Sequence, residues 1–229
     1  DWAWADADAR HGLAYYPKLL VAVPFTPVPG SRLLARDAAT RAALIQALQA
    51  HAQMQALSSA HVLFPTAEEQ AALGEAGWLA RSGVQFHWEA GAEPPASFEA
   101  FLASLQRDKR KKIQQEQRRV REAGVRYRAL LGDEIGEDDW DFFHRCYRQT
   151  YAEHRSTPYL SRDFFRRMAA TMPRHWLLFI AEVDGQPAAC SLIALDPDRR
   201  AAYGRYWGSL VDISVFFLLK RLTGNRMLW

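Results

Sequence analysis

Cysteine is scarce in this chain, which has only two among 229 residues. Cys146 and Cys190 are too few for a disulfide framework, and no Cys, His, Asp or Glu spacing matches a metal site. We therefore expect no metal and a reducing, cytoplasmic location. The longest apolar run near the end, at 215–219, is far too short to span a membrane, and the first residues do not resemble a signal peptide. The sequence also lacks a P-loop and a Ser-His-Asp signature.

A large excess of charge of one sign is also missing, because 29 Lys and Arg stand against 26 Asp and Glu. The net charge of +3 argues against a general nucleic-acid coat protein. The positive charge is concentrated locally, in a helix predicted from an N-cap at Ser97 to Gly124. Its candidate ligands for a polyanionic substrate are Lys109, Arg110, Lys112, Arg118 and Arg119. The alternative is a solvated helix face, which charge runs usually are.

Pro94 and Pro95 bar a continuous helix in the stretch 90–96, so we predict domains at 1–89 and 97–229 with a linker between them. In the first domain, residues 1–12 are expected to be irregular. Strands are predicted at 19–23, 61–64 and 78–88. Helices are predicted from Asp37 or Thr40 to about residue 57, and after Thr66. This order is an α/β pattern.

The second domain begins with the basic helix and continues with a strand at 125–131. Two helices follow, one from 140 to about 154 with an aromatic face and one capped by Ser161. Three strands at 176–183, 188–195 and 201–207 then form a meander, with turn signals at Asp184–Gly185 and at 196–198. One strand, two helices and three antiparallel strands resemble the opening half of an acyltransferase fold of the GNAT type.

Several separated blocks of the sequence resemble one bacterial family of predicted N-acyltransferases. The blocks are YYPKLLVAVPFTPVPGSRLL, KRKKIQQEQRRVREAGV, GDEI, WDFFHRCYRQTYAEHRSTPYLSRDFF and YGRYWG. The family is that of peptidoglycan biosynthesis or recognition proteins related to the FemABX peptidyltransferases, and the resemblance covers roughly residues 1–208. It implies an α/β fold of tandem GNAT-like (acyl-CoA N-acyltransferase) domains, with mixed, mostly antiparallel sheets flanked by helices.

The sequence departs from the family pattern after Gly208. A GNAT fold places a helix there whose N-terminal amides face the cofactor pyrophosphate. No Gly-rich turn opens a helix at this point, so we expect the second domain to be incomplete after about residue 208. We also expect residues 1–89 to be only the C-terminal part of the first domain.

The resemblance implies N-acyl transfer from an activated donor, with acyl-CoA as co-substrate, to an amine on a small molecule or a cell-wall precursor. One alternative is aminoacyl transfer from tRNA, as in the FemABX relatives. Another is a non-catalytic module that binds anionic precursors or RNA. Coenzyme A dependence separates the first two, and salt-sensitive nucleic-acid binding without turnover would favour the third. The oligomeric state stays open.

The cofactor candidates lie in the Pro-rich loop 24–32, between a strand and a helix. Gly30, Ser31 and Arg32 could present amides and a guanidinium to phosphate, although such loops are most often plain connectors. The chemistry also asks for a general base that takes a proton from the attacking amine. His154 and Glu182 are the candidates.

The remaining substrate-binding candidates are Tyr159, near a helix end, and the aromatic block of the last predicted strand. Strict alternation places Tyr203, Arg205 and Trp207 on one face. An arginine between two aromatic rings could hold an anionic substrate group. The alternative is a core strand in which Arg205 forms a structural ion pair with Glu182.

Overall fold

The computed structural model of the protein describes residues 2–84, 87–91 and 93–211. The chain separates into two compact units, residues 1–84 and 85–229, called here the N-terminal and C-terminal units. Within the described residues, no helix is long and apolar enough to cross a membrane. The predicted linker at 90–96 stays a prediction.

The N-terminal unit is a small parallel βαβ arrangement with two further helices. Its elements are α1 (Trp2–Arg10), β1 (Lys18–Val21), α2 (Ala38–Met54), β2 (Ser59–Val62) and α3 (Ala67–Glu75). Strands β1 and β2 pair in parallel, with α2 as the crossover. The side chains of Asp37 and Thr66 accept hydrogen bonds from the amides of the first turns of α2 and α3, which confirms both predicted caps. Leu33, Ile45 and Leu73 form the core.

Two expectations for this stretch are wrong. Residues 2–10 form helix α1 rather than an irregular segment, because alanine, the best helix former, stands at every second position from 3 to 9. The strand predicted at 78–88 is not formed in its described part. Val84 is 88 % exposed and Trp88 is 51 % exposed, so the alternation of apolar residues there has no buried face to fill.

The C-terminal unit is an antiparallel sheet flanked by helices. Its elements are α4 (Phe98–Ser104), α5 (Arg107–Glu122), β3 (Arg126–Leu131), α6 (Glu137–Glu153), α7 (Arg162–Thr171), β4 (Trp176–Val183), β5 (Gln186–Asp196) and β6 (Ala201–Ser209). The strand order is β3-β4-β5-β6, and every neighbouring pair is antiparallel. The predicted meander is therefore confirmed, as is an antiparallel sheet flanked by helices.

The two faces of this sheet carry different helices. On one face, Leu178 and Leu192 pack with Phe165 of α7 and with the aromatic residues of α6 in the larger core. On the other face, Val120 of α5 packs against Ala181. Because side chains alternate along a strand, these two cores lie on opposite sides of the sheet.

The basic segment is broken into two helices rather than forming one. Leu105 and Gln106 adopt extended conformations, with ψ of 153° and 145°. The Ser104 hydroxyl donates to the carbonyl of Phe101 at 2.7 Å, which offers the backbone an alternative to continued helix. An Nη atom of Arg110 donates across the break to a carbonyl of α4 at 3.2 Å. The prediction of a continuous helix is wrong.

Candidate functional site

Four tyrosines meet beside β6, one of the two outer strands of the sheet among the described residues. Tyr147 and Tyr151 lie one turn apart on α6, Tyr159 lies in the loop between α6 and α7, and Tyr206 lies on β6. Their ring centroids are 4.8 Å apart for Tyr147 and Tyr151, 5.1 Å for Tyr147 and Tyr206, and 5.6 Å for Tyr151 and Tyr159. We call these four residues the tyrosine cluster.

The hydroxyl groups of the cluster take part in a polar network. The Tyr159 and Tyr206 hydroxyls share a hydrogen bond of 3.1 Å. An Nη atom of Arg205 donates to the Tyr206 hydroxyl at 3.3 Å, and the Arg205 guanidinium lies 5.2 Å from the centre of the Tyr206 ring. The amide of Leu160 donates to the Tyr147 hydroxyl at 3.2 Å. The loop that carries Tyr159 is thereby tied to both α6 and β6.

Burial raises the pKa of all four phenols above the ordinary tyrosine value. The pKa of Tyr159 rises to about 12. For Tyr206, burial is assisted by the hydrogen bond with Tyr159, and the pKa rises further. The phenols are therefore protonated at physiological pH. They can donate hydrogen bonds to a substrate but do not act there as anionic nucleophiles or bases.

His144 lies against this cluster. Its ring stacks on Tyr147, with 6.0 Å between centroids, and lies 6.1 Å from the ring of Phe165. Burial lowers the pKa of His144, more than a hydrogen bond with the Leu160 backbone raises it. The imidazole is therefore predominantly neutral at pH 7 and can accept a proton. Sequence reasoning missed His144, although its i, i+3 spacing to Tyr147 was a usable signal.

A β-bulge alters the predicted arrangement on β6. Tyr206 and Gly204 pair with successive residues of β5, so Arg205 is an extra residue. Because of this extra residue, side chains after Arg205 lie on the face opposite to the one that strict alternation from Tyr203 predicts. Tyr203 lies on the face covered by α6 and α7, whereas Trp207 packs against the core beneath α5. The prediction that Tyr203, Arg205 and Trp207 share one face is wrong.

The two predicted bases lie in different surroundings. Arg128 donates to the Glu182 carboxylate at 2.6 Å and to Asp139 at 2.9 Å, an ion-pair network that joins β3, β4 and α6. The alternative pair of Glu182 with Arg205 is wrong, because the strand register separates them by about five residues, roughly 17 Å. His154 is the exposed C-cap residue of α6. Catalytic roles for His154 and Glu182 stay predictions.

The predicted cations of the basic segment point in several directions from α5. These cations are Lys109, Arg110, Lys112, Arg118 and Arg119. The helix turns by about 100° per residue, and Val120 marks the side that faces the sheet. Lys112 and Arg119 then lie on one flank, Arg110 on the other, and Arg118 points outward. The five cations do not form a single patch, and their role in substrate binding stays a prediction.

In the N-terminal unit, an internal carboxylate occupies the place predicted for phosphate. Glu69 is 3 % exposed and accepts hydrogen bonds from the amides of Arg32, Leu33 and Thr66 at 2.7–2.9 Å. Burial alone would raise the pKa of Glu69, but these amides outweigh it and the pKa is lowered. Glu69 therefore stays anionic and satisfies the loop itself.

Gly30 and the Arg32 side chain of this loop are also engaged. The Gly30 amide donates to the carbonyl of Phe64 at 3.1 Å. The Arg32 guanidinium donates to the carbonyls of Leu63, Val28 and Ser31 at 2.7–3.2 Å. Coenzyme A binding at Gly30, Ser31 and Arg32 stays a prediction, and the Gly30 amide and the Arg32 donors would have to leave their present partners to bind phosphate.

Comparison with known proteins shows the family of this chain and a related fold. A family model described as peptidoglycan biosynthesis/recognition matches residues 1–218. The chain belongs to this FemAB-like family. The expected relation to FemAB proteins is therefore confirmed, and the match continues past Gly208, where we expected the resemblance to end. No curated protein matches the chain.

Two solved structures resemble this FemAB-like chain. The C-terminal DUF2156 domain of a putative lysylphosphatidylglycerol synthetase from Agrobacterium fabrum is 11 % identical, with a TM-score of 0.53 over 82 % of this chain and 58 % of that one. The L-PGS from Bacillus licheniformis is 8 % identical, with a TM-score of 0.48 over 82 % and 56 %. The chain spans less than three fifths of the length of either structure. The first likeness shows a shared fold, while membership of the GNAT superfamily stays a prediction.

The tyrosine cluster offers the FemAB-like chain a defined set of chemical groups. Neutral phenol hydroxyls, a guanidinium and a neutral imidazole come together at one side of the sheet. Such a set can bind a polar or anionic substrate group and stabilise a carbonyl oxygen that gains negative charge. Among the described residues, no group of three or more His, Cys, Asp and Glu side chains could hold a metal ion.

Proposed function

We propose that this FemAB-like protein is an aminoacyl transferase that acts in the cell envelope, moving an aminoacyl group from tRNA to an amine of a cell-wall precursor. The observation that carries the proposal is the family match over residues 1–218. The structural neighbour with the same fold agrees with it, since lysylphosphatidylglycerol, for which that protein is named, is an aminoacylated compound.

The transfer step requires one bond to form and one to break. The amine nitrogen of the acceptor attacks the ester carbonyl carbon of the donor, and a C–N bond forms. The bond between that carbon and the carrier oxygen breaks. The amine gives up a proton, and the carrier oxygen gains one. The carbonyl oxygen carries negative charge in between, which is where hydrogen-bond donors act.

We assign oxyanion stabilisation, substrate binding and proton transfer to residues of the tyrosine cluster and its neighbours. The Tyr206 hydroxyl donates to the developing oxyanion while it accepts from Arg205 and Tyr159, and the raised pKa values of both tyrosines keep them protonated for these roles. Arg205 binds an anionic group of the substrate. His144, with its lowered pKa, accepts the proton of the attacking amine.

Transfer from acyl-CoA by a tandem GNAT-like fold is the second candidate. A thioester donor would undergo the same attack, with sulfur instead of oxygen as the leaving atom. We place it second because the predicted cofactor loop is occupied by Glu69 and by its own carbonyls.

A donor comparison tests the proposal. The purified chain is incubated with total bacterial tRNA charged with labelled amino acids, or with labelled acyl-CoA, and with a muropeptide precursor that has a free amine. We expect label to reach the acceptor from aminoacyl-tRNA alone. Transfer only from acyl-CoA would overturn the proposal. Salt-sensitive tRNA binding without any transfer would also overturn it, in favour of a binding module.

A further inference from the structure

The amino end of α5 adjoins an exposed group of aromatic side chains. Trp88 is 51 % exposed and Phe98 is 45 % exposed. Both rings contact Phe101, with centroid distances of 5.9 Å and 5.8 Å. We call these three residues the aromatic patch. Phe98 and Phe101 lie on α4, which leads into α5 through only two residues, so the patch lies near the first turn of α5.

The outer side of α5 carries a row of exposed cations. Arg107, Lys111 and Arg118 are all exposed and project away from the side on which Val120 packs against the sheet. We call these three residues the outward stripe. Two acidic residues lie close to it on the helix surface: Glu122, whose carboxylate is 3.7 Å from Arg118, and Asp108, three residues before Lys111. The helix as a whole carries eight Lys and Arg against three Asp and Glu, so this surface keeps a net positive charge.

We propose that the outward stripe and the aromatic patch form a peripheral binding surface for bilayers that contain anionic phospholipid. Lysine and arginine side chains are attracted to anionic headgroups, and Trp and Phe rings enter the boundary between headgroups and acyl chains. Exposed cations beside exposed aromatic rings are the combination that such an interface binds. This surface is separate from the proposed transfer chemistry, because α5 covers the sheet face opposite to the one that carries the tyrosine cluster.

The geometry favours a membrane over RNA as the polyanion. Trp88 meets Phe101 nearly edge-on, at 84°, and Phe98 is tilted by 37° from Phe101. These rings offer no row of parallel faces on which successive bases would stack. The outward stripe also lies on a convex helix rather than in a groove that could follow a nucleic-acid backbone. A bilayer surface requires neither a row of parallel rings nor a groove.

Cosedimentation with lipid vesicles tests the proposal. We expect the full chain to sediment with phosphatidylcholine vesicles that contain a quarter phosphatidylglycerol, less at high salt, and not with phosphatidylcholine alone. The triple variant Arg107→Glu, Lys111→Glu, Arg118→Glu should lose about tenfold or more in partition coefficient. The matched control is Arg36→Glu, Arg174→Glu, Arg199→Glu, which changes the net charge equally at exposed sites elsewhere and should retain binding.

The aromatic patch is tested separately at constant charge. Trp88→Ser and Phe98→Ser should each weaken vesicle binding, while circular dichroism shows an unchanged fold. Equal vesicle binding by the triple variant and its control would overturn the proposal. So would full binding by both aromatic variants, since a purely electrostatic surface would give that result. Loss of tRNA binding rather than vesicle binding in the triple variant would assign the stripe to RNA instead.

Discussion

Gly208 determines how closely α6 approaches β6. A Cβ atom at this position would lie 2.6 Å from the carbonyl oxygen of Cys146 and 2.8 Å from its carbonyl carbon. Both are backbone atoms, so no side-chain rotation relieves the clash. The Thr150 hydroxyl also bonds to the carbonyls of Cys146 and Trp207, each at 3.1 Å, and holds helix and strand together. Gly208→Ala must separate them by roughly 0.8 Å to reach an ordinary contact.

The expected cost follows from these contacts. Overpacking of a core costs about 1–3 kcal/mol, and a lengthened Thr150 hydrogen bond adds about 1 kcal/mol. We expect Gly208→Ala to lower the free energy of unfolding of the C-terminal unit by about 3 kcal/mol in urea titrations followed by circular dichroism. Because α6 also carries Tyr147 and Tyr151, the transfer rate should fall as well.

Gly74→Ala is the control for this substitution. Gly74 lies in α3, and nothing lies within 4 Å of a Cβ added there. Alanine should therefore stabilise the N-terminal unit by about 0.5–1 kcal/mol, the opposite sign. If the free energy of unfolding of Gly208→Ala lies within about 0.5 kcal/mol of that of the unchanged protein, the close packing of α6 on β6 is wrong. This tolerance is about the smallest net contribution of a single hydrogen bond.

Three further predictions concern titratable groups. The lowered pKa of Glu69 stabilises the fold above the unfolded value of about 4.3, and this contribution is lost as the pH falls through the folded value. Glu69→Gln should therefore cost about 2 kcal/mol at pH 7, and this cost should shrink as the pH falls below about 4.3, measured by urea titration. Because the pKa of Tyr159 is about 12 and that of Tyr206 is raised further, absorbance at 295 nm should show these phenols ionising last. Stability should then fall as the pH rises above 10, since the unfolded phenols ionise first; ionisation of all tyrosines near pH 10 would contradict this. His144→Asn should remove the acidic limb of the pH profile of the transfer rate, whereas His154→Asn should keep it; the reverse result would assign the base to His154.

Much of the fold could be predicted because its signals are local. Asp37, Thr66 and Ser161 accept hydrogen bonds as N-caps where expected, since capping depends on residues three apart in sequence. The meander β4–β5–β6 followed from apolar runs separated by turn residues. The wrong predictions concern elements whose structure depends on contacts beyond the local sequence pattern. The alternation at 78–88 lacked a partner face, and the break after Ser104 depends on which carbonyl its hydroxyl selects.

The candidate site was less accessible to sequence reasoning because it depends on register and on distant contacts. Tyr206 and Tyr159 are 47 residues apart in sequence but share a hydrogen bond. The bulge at Arg205 is set by pairing with β5, and it moved Trp207 to the face opposite Tyr203. Sequence reasoning named Tyr159, Tyr203, Arg205 and Trp207 as candidates but missed Tyr206, and only tertiary structure shows which of these residues meet.

The measurement that tests the account most directly is the single-turnover rate of aminoacyl transfer from charged tRNA to an amine-bearing muropeptide precursor. Wild-type protein is compared with Tyr206→Phe, which keeps the ring and removes the hydroxyl that Tyr159 and Arg205 contact. We predict transfer by the wild type and a rate lower by roughly 10- to 1,000-fold in the variant, as for the loss of one oxyanion donor. Equal rates, or no transfer by the wild type from any charged tRNA, would contradict the account.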